Sequence, residues 1–293
     1  MDEFYDFKEK NYYESLRKCH SLLQLKILEL ACAKFVWKGR NTYTFNRCFL
    51  ILQGEGSLTN HTGGQEFTML PGYAYFMPPE TDLSLDFRPG LELLSIHFHA
   101  FLLPGIDCFS EETQCLEFRM EMEQLKIFQR LLESRITWNT LCRFESLLWD
   151  LFSRISPEGL PGMEDVLNLQ SRYGKLLLYI HNNISARTGI DELCSFSGMS
   201  RDTLSRHFSR DFGLPLKLFL MKELLSVAER YLLWSDLTIR EIGLELKFSS
   251  EFYFSSFFKR MKGVSPSMFR QEADRHKRSL FSGDSFRRRR EEK

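Results

Sequence analysis

A chain of 293 residues, 43% hydrophobic and 27% charged, has room for two domains with their own cores and is too apolar for general disorder. Its net charge of zero hides a division: residues 1–170 carry 16 Lys+Arg against 24 Asp+Glu, and residues 171–293 carry 23 against 15. No run of about 18 apolar residues suggests a membrane span, and the acidic start MDEFYDFKEK is not a secretory signal, so a cytoplasmic protein without a membrane partner is expected.

From about residue 25 to 100 the pattern is strand-like. FNRCFLILQGEGSLTN leads to a turn at His61–Gly64, and QEFTML returns from it as a second strand. Pro71-Gly72 makes the next turn, Tyr73 to Met77 a further strand, and Pro78-Pro79 stops it. Leu83, Leu85 and Phe87 alternate with Ser84, Asp86 and Arg88, the period of a half-buried strand. In the next strand Ser95, His97 and His99 share one face, and Leu94, Ile96 and Phe98 share the other. Short strands so evenly spaced suggest a small barrel or sandwich enclosing a pocket.

Near residue 118 the period becomes helical. Leu125, Phe128 and Leu132 open one helix, and Leu141, Phe144, Leu148, Leu151 and Ile155 form a coiled-coil-type seam on the next. That seam either packs on the barrel or joins two copies of the chain. SPEGLPGMED, residues 156–165, reads as a linker.

Beyond it lies an internal repeat: Ile190 to Gly213, and Ile239 to Gly263. Ile190 matches Ile239 and Met199 matches Phe248 at a spacing of 49, while Phe208 matches Phe258 at 50. Each copy is a short helix, a tight turn and a second helix, with Ser200, and Ser249 or Ser250, able to cap that second helix. Leu204 and Phe208, and Phe254 and Phe258, sit four apart as core anchors. This is helix-turn-helix grammar. The apolar-striped segment from about 214 to 234 joins the copies; a 20-residue helix spans about 30 Å, close to one turn of DNA.

Thr238 to Arg270, with Tyr253-Phe254, Phe258-Lys259, Gly263, Ser265-Pro266 and Phe269-Arg270, closely resembles the signature of the AraC/XylS family of transcription regulators. Gly54-x-Gly56 and Pro71-Gly72 before Pro-Pro are similar to that family's cupin-like effector domain. The resemblance implies an α+β chain: a cupin-like β-barrel effector domain over 1–117, a helical dimerisation segment over 118–155, a linker over 156–170, a DNA-binding domain with two helix-turn-helix units over 171–275, and a basic tail over 276–293. It also implies double-stranded DNA, a small-molecule effector such as a carbohydrate, and RNA polymerase as partners of a homodimeric activator. By register its base-contact positions fall on Asp202, Ser205 and Arg206, flanked by Arg201 and Arg210, and on Glu251, Phe252, Ser255 and Ser256. Ser250 and Lys259 join the DNA-contacting set, with Arg260 and Lys262 as further phosphate contacts. Asp202 equally suits the positive start of its helix, and Phe252 suits contact with a thymine methyl, with burial in the core as the alternative. Several positions depart from the family pattern. Cys194 and Gly243 replace alanines, Lys247 replaces a turn glycine and must adopt a left-handed or altered conformation, Leu224 stands where an Arg is frequent, and Ser256 stands where the second helix often carries Arg.

Arg47, His97 and His99 are candidates for effector binding. An HxH pair on one strand face also suits a metal, which keeps open a cupin-type metalloenzyme fused to a DNA-binding domain; a constitutive DNA binder without a ligand is a third reading. No third cupin ligand is apparent, and the seven cysteines include no CxxC pair, so no metal or other cofactor is expected.

Overall fold

The computed structural model describes residues 24–34, 36–133, 137–155 and 163–281. They form two compact units, one comprising residues 26–99 and 109–159, the other residues 100–108 and 160–272. The basic tail Arg287–Arg290 and most of the SPEGLPGMED stretch lie outside the described residues.

Ten strands among the described residues form two antiparallel sheets: β1 (Gln24–Lys34), β8 (Glu92–Leu103), β3 (Asn46–Gln53), β6 (Tyr73–Met77) and β10 (Leu116–Arg119) in that spatial order, with β9 (Ile106–Asp107) on β8, and β2 (Trp37–Asn41), β7 (Leu83–Phe87), β4 (Gly56–Asn60) and β5 (Gln65–Met69); all but β9, the start of β1 and the end of β8 lie in the first unit. The alternation read from the sequence sets what each sheet turns inward. Phe49, Ile51, Tyr75, Met77 and Leu93 of one sheet meet Leu58, Leu83, Leu85 and Phe87 of the other in a single buried core. Gly54 holds φ 75°, and a Cβ there would lie 2.4 Å from the Gly90 carbonyl oxygen; only glycine lets the chain pass from β3 toward β4 so close to a neighbouring backbone.

Helices α1 (Met122–Glu133) and α2 (Trp138–Ser153) complete the unit. Residues 116–119 continue the sheet by pairing with β6, so the helical period starts at Met122 rather than near 118. Leu148 and Leu151 are fully buried within the monomer, and Phe152 lies 4.2 Å, ring to ring, from Phe98 of β8. The seam therefore packs on its own chain, whereas Leu141 is exposed.

The second unit contains α3 (Met163–Asn183), α4 (Ile190–Ser197), α5 (Arg201–Phe212), α6 (Leu216–Trp234), α7 (Ile239–Glu245), α8 (Glu251–Lys262) and α9 (Pro266–Phe281). Helix α3 begins at Met163, inside the expected linker, because Val166 belongs to the same core as Tyr173, Leu177, Leu204 and Phe208. Leu103 joins that core too, so the end of β8 and the short β9 belong to the helical unit and not to a barrel domain ending at 117.

Candidate nucleic-acid interface

The first helix-turn-helix is α4 and α5. Its turn passes through Gly198 at φ 70°, after which the Ser200 hydroxyl accepts the Thr203 N–H and starts α5. Leu204 and Phe208 are fully buried, the Phe208 ring resting 5.9 Å from Tyr173 and 5.3 Å from Phe219. Anchoring that face leaves Arg201, Asp202, Arg206 and Arg210 exposed and Ser205 half-buried. Each arginine meets a carboxylate. Arg201 donates to both oxygens of Asp191 at 2.6 and 2.7 Å, Arg206 Nη2 pairs with Asp202 one turn earlier, and Arg210 Nε donates to Asp211 at 2.8 Å. Asp211 also accepts from Arg172 and from the Tyr173 hydroxyl, both at 2.7 Å. Its carboxyl is held far below the usual carboxylate range, chiefly by the hydrogen bond from Arg210, and burial pushes the Tyr173 hydroxyl up to about 12.

The second unit repeats this plan with different chemistry. Thr238 and Glu241 form a reciprocal capping box on α7. Lys247 adopts the left-handed conformation, φ 58°, where the first copy has Gly198. A Cβ at Gly243 would lie 3.3 Å from that of Phe254, which is why only a small residue serves there. Ser250, not Ser249, caps α8, its hydroxyl accepting the Tyr253 N–H at 3.3 Å; that bond engages a residue expected at DNA. Phe254, Phe257 and Phe258 point inward, leaving Glu251, Phe252, Ser256, Lys259 and Arg260 exposed and Ser255 half-buried. Phe252 is 73% exposed and so does not belong to the core, and Tyr253, unremarked in the sequence as a surface residue, is 61% exposed beside it.

Lys262 corrects an expectation. Its ammonium lies 2.6 Å from the fully buried Glu229 carboxylate of α6 and above the Phe269 ring, so it is committed to the interior rather than to phosphates. Arg270 donates to the carbonyls of Tyr231, Leu232 and Leu237, satisfying the end of α6. Both residues hold the second unit against the connecting helix.

In the β unit Arg47 and His97 face each other across β3 and β8. Arg47 is 1% exposed, donates to Asn41 Oδ1 at 2.5 Å and lies 4.9 Å from the Tyr43 ring, so it is not a surface charge. His97 pairs with Glu29 at 2.9 Å and with Ser95 at 3.2 Å, and His99 is buried. Among the described residues no three His, Cys, Asp or Glu side chains are grouped as a metal would require, and no helix is long and apolar enough to cross a membrane.

Residues 193–272 match the helix-turn-helix domain family. The transcriptional activator AarP of Providencia stuartii is 29% identical over 96 residues, covering 33% of this chain and 71% of that protein. The transcriptional regulator ExsA of Pseudomonas aeruginosa is 29% identical over 133 residues, 45% of this chain and 47% of that protein. The chain thus spans less than half the length of ExsA. At the level of fold, ToxT from Vibrio cholerae superposes with a TM-score of 0.53 at 13% identity, covering 85% of this chain and 98% of that one. With the signature, the doubled helix-turn-helix geometry and these relatives together, residues 193–272 form an AraC-type helix-turn-helix domain, the kind by which transcription regulators bind DNA.

Proposed function

We propose that the chain is an effector-responsive regulator that sets α5 and α8 into successive major grooves of duplex DNA, with Arg206 as its principal base-reading side chain. One observation carries this reading: a single 19-residue helix, α6, contributes buried residues along its whole length and packs on the helices of both helix-turn-helix units. At 1.5 Å per residue it spans about 28 Å, near the roughly 34 Å of one DNA turn, and it is rigid enough to fix the two recognition helices in register. Arg206, with Asp202, Ser205 and the flanking Arg201 and Arg210, addresses one groove, where a guanidinium matches guanine O6 and N7. In the other, Phe252 offers apolar contact to thymine methyls beside Glu251, Ser255 and Ser256, while Lys259 and Arg260 engage phosphates.

The finer parts of the proposal are supported by position. Arg47, His97 and His99 are gathered on buried strands, which suits a polar small-molecule effector, a carbohydrate among them. Trp138, Leu141 and Trp149 are exposed along one side of α2, which suits self-association as a homodimer through that stripe. Activation follows the activator AarP, and contact with RNA polymerase in the cytoplasm follows the family resemblance. The test compares Arg206→Ala with Ser256→Ala in the full chain. The first costs about 1–3 kcal/mol at the preferred site and relaxes one base pair, and the second costs well under half of that. Equal losses, or a larger one at Ser256, overturn the assignment of base reading to α5.

A further inference from the structure

The exposed charges of α5 are unusually self-neutralised. A helix that only gripped phosphates would present free cations, because each neutralised phosphate adds counterion release to the affinity. Here every exposed arginine of α5 meets a carboxylate, and the three pairs are not equivalent. Asp211 is 11% exposed and shared with Arg172 and Tyr173, so its bond to Arg210 belongs to the packing of α3 on α5. Asp191 comes from α4 and chelates Arg201 with both oxygens, tying the two helices of the unit together. Asp202 and Arg206 differ from both: they lie on the same helix, one turn apart, with side chains 74% and 72% exposed. Their pairing joins no two elements, and exposed pairs of this kind add little to stability.

What the pair does is aim a side chain. Arg206 is engaged through Nη2, and a guanidinium has five N–H donors in a fixed plane, so the remaining edge is free for a forked acceptor. Fixing a long side chain before binding removes part of the entropy cost of ordering it. Asp202 also lies toward the start of the helix, where its carboxylate repels phosphates, so a guanidinium held on it is kept from the DNA backbone and left for a base edge. We propose that Asp202 is a positioning residue for specificity: it holds the Arg206 guanidinium edge-on for a guanine. This rests on α5 being the first recognition helix.

The test uses the full chain and its Arg206→Ala, Asp202→Ala, Asp202→Asn and doubly substituted variants, each run against a randomised duplex library and by thermal unfolding. Arg206→Ala sets the scale, a loss of about 5- to 150-fold at one base pair. Asp202→Ala is expected to relax preference at that same base pair several-fold, Asp202→Asn to give an intermediate loss, and the double variant to lose no more than Arg206→Ala alone, with unfolding unchanged. Uniformly tighter binding to all sequences with preference intact overturns the proposal, because Asp202 is then only a repelling charge. Lost preference at a different base pair overturns it as well, since Asp202 then contacts that base itself. If Arg206→Ala changes binding to no sequence, the identification of α5 as a reading helix fails, and the proposal with it.

Discussion

Gly198 and Lys247 occupy equivalent turns, at φ 70° and 58°, and the left-handed region costs a non-glycine residue about 1–2 kcal/mol. The two sites therefore respond in opposite directions. Gly198→Ala is expected to destabilise by about 1–2 kcal/mol. Lys247→Gly relieves strain but adds freedom to the unfolded chain, so it is expected to be neutral or to stabilise by up to about 1 kcal/mol. Urea unfolding of both variants checks the pair, and a clear loss in Lys247→Gly contradicts the strain argument. Asp211 is the other residue with a definite signature. Its folded-state pKa is depressed, chiefly by Arg210, so its contribution is present above the ordinary carboxylate range near pH 4 and is lost as the pH falls below it. Asp211→Asn is expected to cost about 1–2 kcal/mol at pH 7, with the difference from the wild type starting to narrow below pH 4 and closing only as the pH falls through the depressed folded-state value. A difference that persists unchanged at pH 3 argues against the ionised network.

Among the elements, α2 changes most between sequence and structure. Its heptad spacing from Leu141 to Ile155 fits a coiled-coil seam, yet Leu148, Leu151 and Ile155 are buried against their own chain and Trp138 is 84% exposed. Periodicity identifies an apolar face but not which surface covers it, since both a sheet and a second helix accept the same stripe. Leu148→Lys is accordingly expected to unfold the β unit, because it buries a charge, whereas Trp149→Lys leaves it folded and gives monomers in light scattering. A folded, monomeric Leu148→Lys variant contradicts this division of roles. The helix-turn-helix elements were far more legible. Their anchors at Leu204, Phe208, Phe254 and Phe258, and the serine caps of their second helices at Ser200 and Ser250, are local features that recur at fixed spacing. The features that are not local depend on tertiary pairing: β10 is defined only by its partner β6, and Lys262 looks like any terminal lysine until Glu229 of α6 is brought beneath it.

At the scale of the whole molecule, the sequence placed a boundary at 117 and a linker through 170, but cores and not compositions divide this chain. Val166 and Leu103 both pack among the residues of the first helix-turn-helix, so the smallest piece with an intact helical core includes α3 from its start. The acidic and basic halves did forecast which part meets DNA, although the arginines of α5 are largely neutralised by their own neighbours. The central claim is that two recognition helices held on α6 read two adjacent sites. It is tested most directly by selecting binding sites for the purified full chain from a randomised duplex library at moderate salt. The account predicts two enriched half-sites with centres about 10–10.5 bp apart, one with a fixed guanine that is lost in Arg206→Ala. Enrichment of a single half-site with no partner at that spacing, or none at all, would contradict it.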